Sequence, residues 1–418
     1  VSDETVAAIL ENSDGLVGVT VEEQYIRRYV DSVYCSQILG YTGTVSNSEL
    51  EELGDGYESN DVVGKSGIEK SMENELSGVK GEKSVYVDTV GRVTEVLDQE
   101  DPQAGHDVYL TIDINLQKSI YNAIEDEITD IFMKYFTPGS NKITYNGSGD
   151  VDTIYITAQE VYFALIDNNI VSISHIATQS TDTERQMYSA FLSKQDSTMS
   201  WLRSELADGD TPYGRLSEEQ QLYIWYVYTS LKDRGVINPA NVDTDDSVYK
   251  DWTEGSGTSL KELLTHGISK NWINLNIFSS EQYTSLQESY DALIDYIDSY
   301  LREDTSFYKK MYKYMINDGS ISGRQVCMLL YEQGVLDMNA EDSRYAALSS
   351  GSLGAYEFMV YAITNKVITP GQLALQPCSA SAVITNPKNG DIVAMVSYPS
   401  YDNNRLSGTV DAKYFNSL

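Results

Sequence analysis

Apolar residues recur along this chain at two spacings, and the switch from one to the other divides it. In 16-LVGVTVEEQYIRRYV-30, Val17, Val19 and Val21 alternate with Gly18, Thr20 and Glu22 before a basic pair, which predicts a strand followed by turn or extended chain. The stretch 37-QILGYTGTVSNSELEEL-53 holds glycine turns and then a helix opened by Ser46, with Glu49 placed to complete a capping box. A second box, Ser66 with Glu69, lies in 63-VGKSGIEKSMENELSGVKG-81, where Ile68, Met72 and Leu76 return every four residues until Gly78 ends the helix. The segment 84-SVYVDTVGRVTEVL-97 alternates on both sides of Val90-Gly91-Arg92, the pattern of a β-hairpin. Pro102 and Gly105 mark a turn before a predicted strand, 107-DVYLTI-112, with Val108, Leu110 and Ile112 on one face. Asp113 can then cap a helix that buries Leu116, Ile120, Ala123, Ile124 and Ile128.

From about 131 to 375 the period becomes helical and the text Tyr-rich, as in 280-SEQYTSLQESYDALIDYIDSYL-301. Capping boxes are predicted at Ser217 with Gln220, Ser279 with Gln282 and Ser322 with Gln325, and Thr369 precedes Pro370 with Gln372 in the box position. A weak echo links 165-LIDNNIVSISHI-176, 231-LKDRGVINPANV-242, 315-MINDGSISGRQV-326 and 362-AITNKVITPGQL-373: a helix end, a short polar turn, Ile or Val, then a cap leading into the next helix. Reused capping chemistry is the preferred account of this, and duplicated modules the alternative. Strands return in 380-ASAVITNPKNGDIVAMVSYPSY-401, where two apolar halves flank Asn386-Pro387-Lys388-Asn389-Gly390, a hairpin turn tolerant of positive φ. The reading is an α+β chain in which a helical block interrupts a mixed fold.

With 418 residues, 41% of them hydrophobic, the chain can bury more than one core. Its formal net charge of −34 repels a phosphate backbone, so no nucleic-acid partner is expected. Cys35, Cys327 and Cys378 form no framework or metal pair, and His106, His175 and His266 are isolated. No metal site and no cofactor are therefore expected. No apolar run reaches the roughly 20 residues that cross a bilayer. The absence of an initiator Met and the ending at 411-DAKYFNSL-418 lead to the expectation of a piece excised from a longer protein.

Three constellations were weighed as chemistry. Gly64-Lys65-Ser66 resembles the tail of a phosphate loop, but Ser59 stands where its first glycine belongs and no strand precedes it. Serine acyl-enzymes that penicillin acylates need Ser-x-x-Lys, Ser-x-Asn and Lys-Ser/Thr-Gly. Ser77 with Lys80, Ser247 with Lys250 and Ser306 with Lys309 fit the first, Ser269-Lys270-Asn271 the second and Lys65-Ser66-Gly67 the third, in the wrong order along the chain. The acidic stretches 207-ADGDTPYG-214 and 243-DTDD-246 lack the spacing of a calcium loop and read as solvated surface. No catalytic residue is assigned.

Several segments, taken in order, resemble the class B penicillin-binding proteins: 38-ILGYTG-43, 64-GKSGIEKSMENELSGVKG-81, 86-YVDTVGRV-93, 105-GHDVYLTIDINLQ-117 and 382-AVITNPKNGDIVAMVSYPSYDNN-404. The resemblance implies a pedestal or dimerisation domain at 1–112, the start of a transpeptidase domain at 113–130 and 376–418, and an insertion at 131–375. Its structural signature maps to Gly64, Ser66, Gly67, Glu69, Gly78, Asp113, Asn386 and Gly390. Glu69 is expected to cap its helix, to pair with Arg27 or Arg28, or to do both. The implied parent is a membrane-anchored D,D-transpeptidase that cross-links peptidoglycan by serine acyl transfer. Its nucleophile would lie beyond this chain, which is expected to be inactive, and its anchor before it. Partners implied are wall-synthesis or division proteins, with peptidoglycan met through the catalytic domain. An inert scaffold of the same ancestry is the alternative, and an unrelated hydrolase using acidic residues of the helical block is a third. Two structural expectations follow. The hairpin at 380–398 packs on the helix that begins at Asp113, and its apolar face, Val383, Ile392, Ala394 and Val396 included, is covered by the insertion or a second chain.

Overall fold

Short capped helices and two-residue-period ribbons make the first unit, and long helices the second. The computed structural model describes residues 2–12, 15, 16, 19, 21, 27–54, 56–88, 93–139, 155–255, 257–277, 285–338, 343–408 and 410–415. The chain is α+β. It divides into a unit formed by residues up to Asp130 with those from Gln376 onward, and a unit Ile131–Leu375. Most of 16–30, the tip of the hairpin at 89–92 and the box at Ser279 lie outside the described residues.

In the first unit, helix Ser32–Leu39 leads into an antiparallel pair, Thr42–Thr44 with Val62–Gly64. Helix Asn47–Leu53 between them carries the predicted box, Ser46 with Glu49. Ser66 starts a helix, but its hydroxyl makes no capping bond, and the Glu69 carboxylate goes to Arg27. That helix also breaks at Met72, into Gly67–Ser71 and Glu73–Leu76. The hairpin Glu82–Val87 with Val93–Glu100 is antiparallel. No ladder forms over 107–112, and Leu110 is exposed. Only the end of this segment meets a strand, where Thr111 Oγ1 donates to the Ile392 carbonyl and Asp113 N to that of Val393.

Asp113 caps the helix Ile114–Tyr135 by accepting from the backbone N–H groups of Asn115 and Leu116. Its buried face is not quite the predicted one: Ala123 is exposed, while Gln117 and Tyr121 are buried beside Ile128. Strands Ala380–Thr385 and Ile392–Tyr398 form the predicted hairpin, with Gly390 at φ 82°. Val396 and Tyr398 pack with Tyr121 and Ile128 in one apolar cluster, so hairpin and helix do share a core. Of the face expected to be covered, Ala394 and Val396 are buried, Val396 in this cluster, whereas Val383 and Ile392 are 59% and 39% exposed in the single chain. Register explains Val383: it pairs with Met395, which strand alternation places on the face opposite Ala394 and Val396. Ile392 lies past a register shift at the hairpin's outer end.

The second unit is a helical bundle around one apolar core, joined by a short parallel pair, Phe136–Thr137 with Ile156–Thr157. The predicted boxes at Ser217, Ser322 and Thr369 are present, and the 280–301 segment starts its helix at Leu286, capped by Ser285 with Glu288. All four echo segments end a helix in the same way. A residue at positive φ (Asn169, Gly235, Gly319, Lys366) is followed two positions on by Val171, Ile237, Ile321 or Ile368, each buried and donating its N–H to the carbonyl six residues back. Gly334 with Leu336 and Gly351 with Leu353 repeat the same hydrogen bond. The expectation that each turn leads straight into a helix fails at 231–242, where Ile237 bridges Ile273 and the next helix waits until Ser247, capped by Asp246.

Gly319 sits at φ 82° with open space around its Cα, whereas Gly257 has open space without a positive φ. Gly319→Ala should therefore destabilise the chain by about 1 kcal/mol in urea unfolding through backbone strain alone, while Gly257→Ala changes stability by less than about 0.5 kcal/mol.

Candidate functional site

The polar groups of the first unit converge where helix Ser32–Leu39, the turn 64–69 and the segment 399–407 meet. Backbones cross there at distances that exclude side chains. A Cβ on Gly40 would lie 1.9 Å from the Ser66 carbonyl oxygen, one on Gly64 2.1 Å from the Glu69 carbonyl, and one on Gly67, at φ 57°, 2.5 Å from the Ile38 oxygen. Gly40, Gly64 and Gly67 are thus demanded by close approach, Gly40 and Gly67 by conformation as well. Gly78, at φ 71°, meets the Gln103 backbone in the same way. Glu69, nearly buried, takes Arg27 Nε at 3.1 Å.

Onto this crossing the segment after the hairpin is locked by side-chain amides. Asn404 exchanges two hydrogen bonds with the backbone of Tyr29, its Oδ1 accepting at 2.8 Å and its Nδ2 donating at 3.0 Å. Asn403, fully buried, donates Nδ2 to the carbonyls of Ser36, at 3.0 Å, and Gly40. Ser32 Oγ donates to Asp402 Oδ1 at 2.7 Å, and the hydroxyls of Thr42 and Ser407 meet at 2.5 Å. A second clamp stands one layer away. Gln117 is 1% exposed; its Nε2 donates to the carbonyls of Tyr34 and Met395, and its Oε1 accepts from Met395 N. Tyr121 packs edge-on between Tyr34 and Tyr398, at 5.3 and 5.5 Å. Burial pushes its phenol well above the ordinary range.

Sequence reasoning singled out Asp113, Asn386 and Gly390, which shape the helix cap and the hairpin turn, but missed Gln117, Tyr121, Asn403 and Asn404. The available signal was a polar residue on an apolar helix face in 113–130 and the Asp-Asn-Asn run at 402–404.

The loose acylation motifs are all taken up structurally. Lys65 Nζ binds Glu49 at 2.5 Å, and that contact holds the Glu49 carboxyl down at about 2. Ser77 closes a short helix. Lys250 pairs with Asp245, Lys270 lies 3.7 Å from Asp246, and Lys309 donates to the Asp167 carbonyl. Among the histidines, His175 contacts the buried Glu184 and His266 contacts Asp246, a helix cap. Among the described residues no cluster of His, Cys, Asp and Glu could hold a metal ion, and no helix is long and apolar enough to cross a membrane.

Residues 1–110 match the family model of the penicillin-binding protein dimerisation domain. That family match, with the relatives that follow, supports a likeness of the first part of the chain to the class B penicillin-binding proteins. The peptidoglycan D,D-transpeptidase MrdA of Escherichia coli strain K12 is 36% identical over 120 residues, 28% of this chain and 19% of that protein. MrdA of Salmonella typhimurium strain LT2 is 32% identical over 124 residues, again 28% of this chain and 20% of the relative. Penicillin-binding protein 2A of Bacillus subtilis is 36% identical over 133 residues, 31% of this chain and 19% of the relative. The matched stretch thus spans about a fifth of the length of these relatives.

Asn403→Ala would take from the buried Gly40 carbonyl its side-chain donor, while that of Ser36 keeps Gly40 N and Tyr401 Oη, and should destabilise the first unit by about 1–3 kcal/mol in urea unfolding, leaving the helical unit's tryptophan signal unchanged at low urea. Glu49 should titrate near 2 by NMR and return toward its ordinary 4.5 in Lys65→Met. Because the folded-state value is depressed, the stabilisation is present above about 4.5 and is lost as pH falls toward 2, a loss that the variant should show only in part, since the hydrogen bonds from Ser46 remain.

Proposed function

We propose that this chain is the non-catalytic, wall-facing part of a D,D-transpeptidase, which holds the first elements of the transpeptidase domain in a fixed setting on a pedestal. The observation that carries the reading is the interlock. The elements that the resemblance assigns to the transpeptidase, helix Ile114–Tyr135 and the hairpin with its 399–407 tail, are tied to pedestal residues by Gln117, Asn403 and Asn404. Cross-linking of stem peptides would be performed in the longer protein by a serine outside these residues, consistent with the structural engagement of each lysine in the Ser-x-x-Lys matches at Ser247 and Ser306. Membrane anchoring and contacts with wall-synthesis or division proteins belong to the same proposal. They rest on the family alone.

An inert scaffold of the same ancestry would share the interlock and differ downstream. Fluorescent penicillin separates the two. No covalent labelling of the 418-residue chain is expected, whereas the longer protein should be labelled at a serine in a Ser-x-x-Lys. Labelling within these residues, or an unlabelled longer protein, would overturn the transpeptidase reading.

A further inference from the structure

The ribbon of the first unit, strand Glu82–Val87 with strand Val93–Glu100, is a sheet of two strands, and among the described residues no third strand pairs with either. Its two faces differ in chemistry. Side chains alternate along a strand, and directly paired residues share a face. The pairs Glu82 with Glu100, Ser84 with Asp98 and Tyr86 with Glu95 therefore lie on one side, which carries four carboxylates and no basic group. The pairs Lys83 with Gln99 and Val85 with Val96 lie on the other, together with Val87. Val87 and Val96 are 55% and 46% exposed, and the four acidic residues are exposed as well. Asp98 accepts from the backbone N–H of Gln99, a neutral partner that leaves its charge standing, and among the described residues none of the four carboxylates forms an ion pair.

A two-stranded ribbon is marginal in water, and a strand edge is a template for a further strand. The two edges of this ribbon are not equal. Both register shifts fall on the second strand, where Thr94 and Leu97 are the extra residues, so bulges interrupt its edge. Strand Glu82–Val87 has no inserted residue and offers a regular edge along its whole length. A segment added there places its own side chains alternately on the two faces. On one face it continues Val85 and Val87, and on the other it enters the field of Glu82, Glu95 and Asp98. Apolar residues suit the first and cations the second. A second copy of this chain fits badly, because two such edges paired about a two-fold axis keep like faces on the same side and set carboxylates beside carboxylates, in chains of net charge −34.

We propose that the edge of strand Glu82–Val87 is a docking site for an extended polypeptide segment of a partner in which apolar and basic residues alternate. Main-chain hydrogen bonds along the edge hold the segment, and the opposed valine and carboxylate faces select its sequence. The site belongs to the fold of the first unit and stands whether or not the longer protein is a transpeptidase.

The test uses the whole chain and three capped peptides of about eight residues, a strand-length probe: Lys-Val repeats, Lys-Lys-Val-Val repeats of the same composition, and Glu-Val repeats. Backbone NMR and amide hydrogen exchange report on residues 82–87. The Lys-Val peptide should bind with a dissociation constant of about 10–500 μM that rises with salt, and should slow exchange along this strand. The Lys-Lys-Val-Val peptide should bind at least about tenfold more weakly. Glu95→Lys with Asp98→Lys, whose fold circular dichroism checks, should weaken the Lys-Val peptide at least about tenfold and admit the Glu-Val peptide. Four results overturn the proposal: no binding of the Lys-Val peptide at about 5 mM, equal binding of the two lysine peptides, protection outside this strand, or concentration-dependent protection of the strand in the chain alone, as a second copy would give.

Discussion

Everything in the first unit rests on a crossing of three backbones at separations only glycine allows. At Gly40, Gly64 and Gly67 a Cβ would fall between 1.9 and 2.5 Å from a carbonyl atom of another segment. Such approach leaves no room for side chains to hold the segments together, so the holding is done from the rim by amides and carboxylates with fixed geometry. Arg27 with Glu69, Lys65 with Glu49, and the two asparagines at 403 and 404 have this role. Side-chain amides suit the task because each can donate and accept at once, and so replaces a backbone ladder where no strand is available.

The first unit is built from the two ends of the chain. Its small apolar cluster, Tyr121, Ile128, Val396 and Tyr398, draws equally on residues before and after the helical block. A core of that size stabilises a fold only when its polar margins are satisfied. Gln117 shows the economy of the arrangement: one buried side chain joins its own helix, the hairpin and helix Ser32–Leu39 through three hydrogen bonds.

Local features of the fold were legible wherever a side chain acts on its own neighbours. The Asp113 cap, the boxes at Ser46, Ser217, Ser322 and Thr369, and the Asn386–Gly390 turn were all readable, since each is fixed within a few residues. Reading was incomplete where a distant partner competes with a local one. Ser66 with Glu69 satisfies the box pattern, and of the two roles open to Glu69 the structure takes the pairing with Arg27, a residue 42 positions away. Residues 107–112 alternate like a strand but find no strand to pair with, and Val383 looks like its neighbours in sequence while register puts it on the other face. The clamps at Gln117, Asn403 and Asn404 left only a faint trace in the sequence, a polar residue on an apolar helix face and the run 402–404, because their partners are distant.

Among the described residues six helix ends of the second unit share one design, a left-handed residue and an N–H that reaches six residues back, from Leu165 to Ile368. Each such corner closes on itself, its hydrogen bonds complete before the following helix begins. A segment bounded by two of these corners can therefore be gained or lost whole, with the cut ends already sealed. Variation in the size of this block among homologous chains would then come in increments of one helix rather than of single residues.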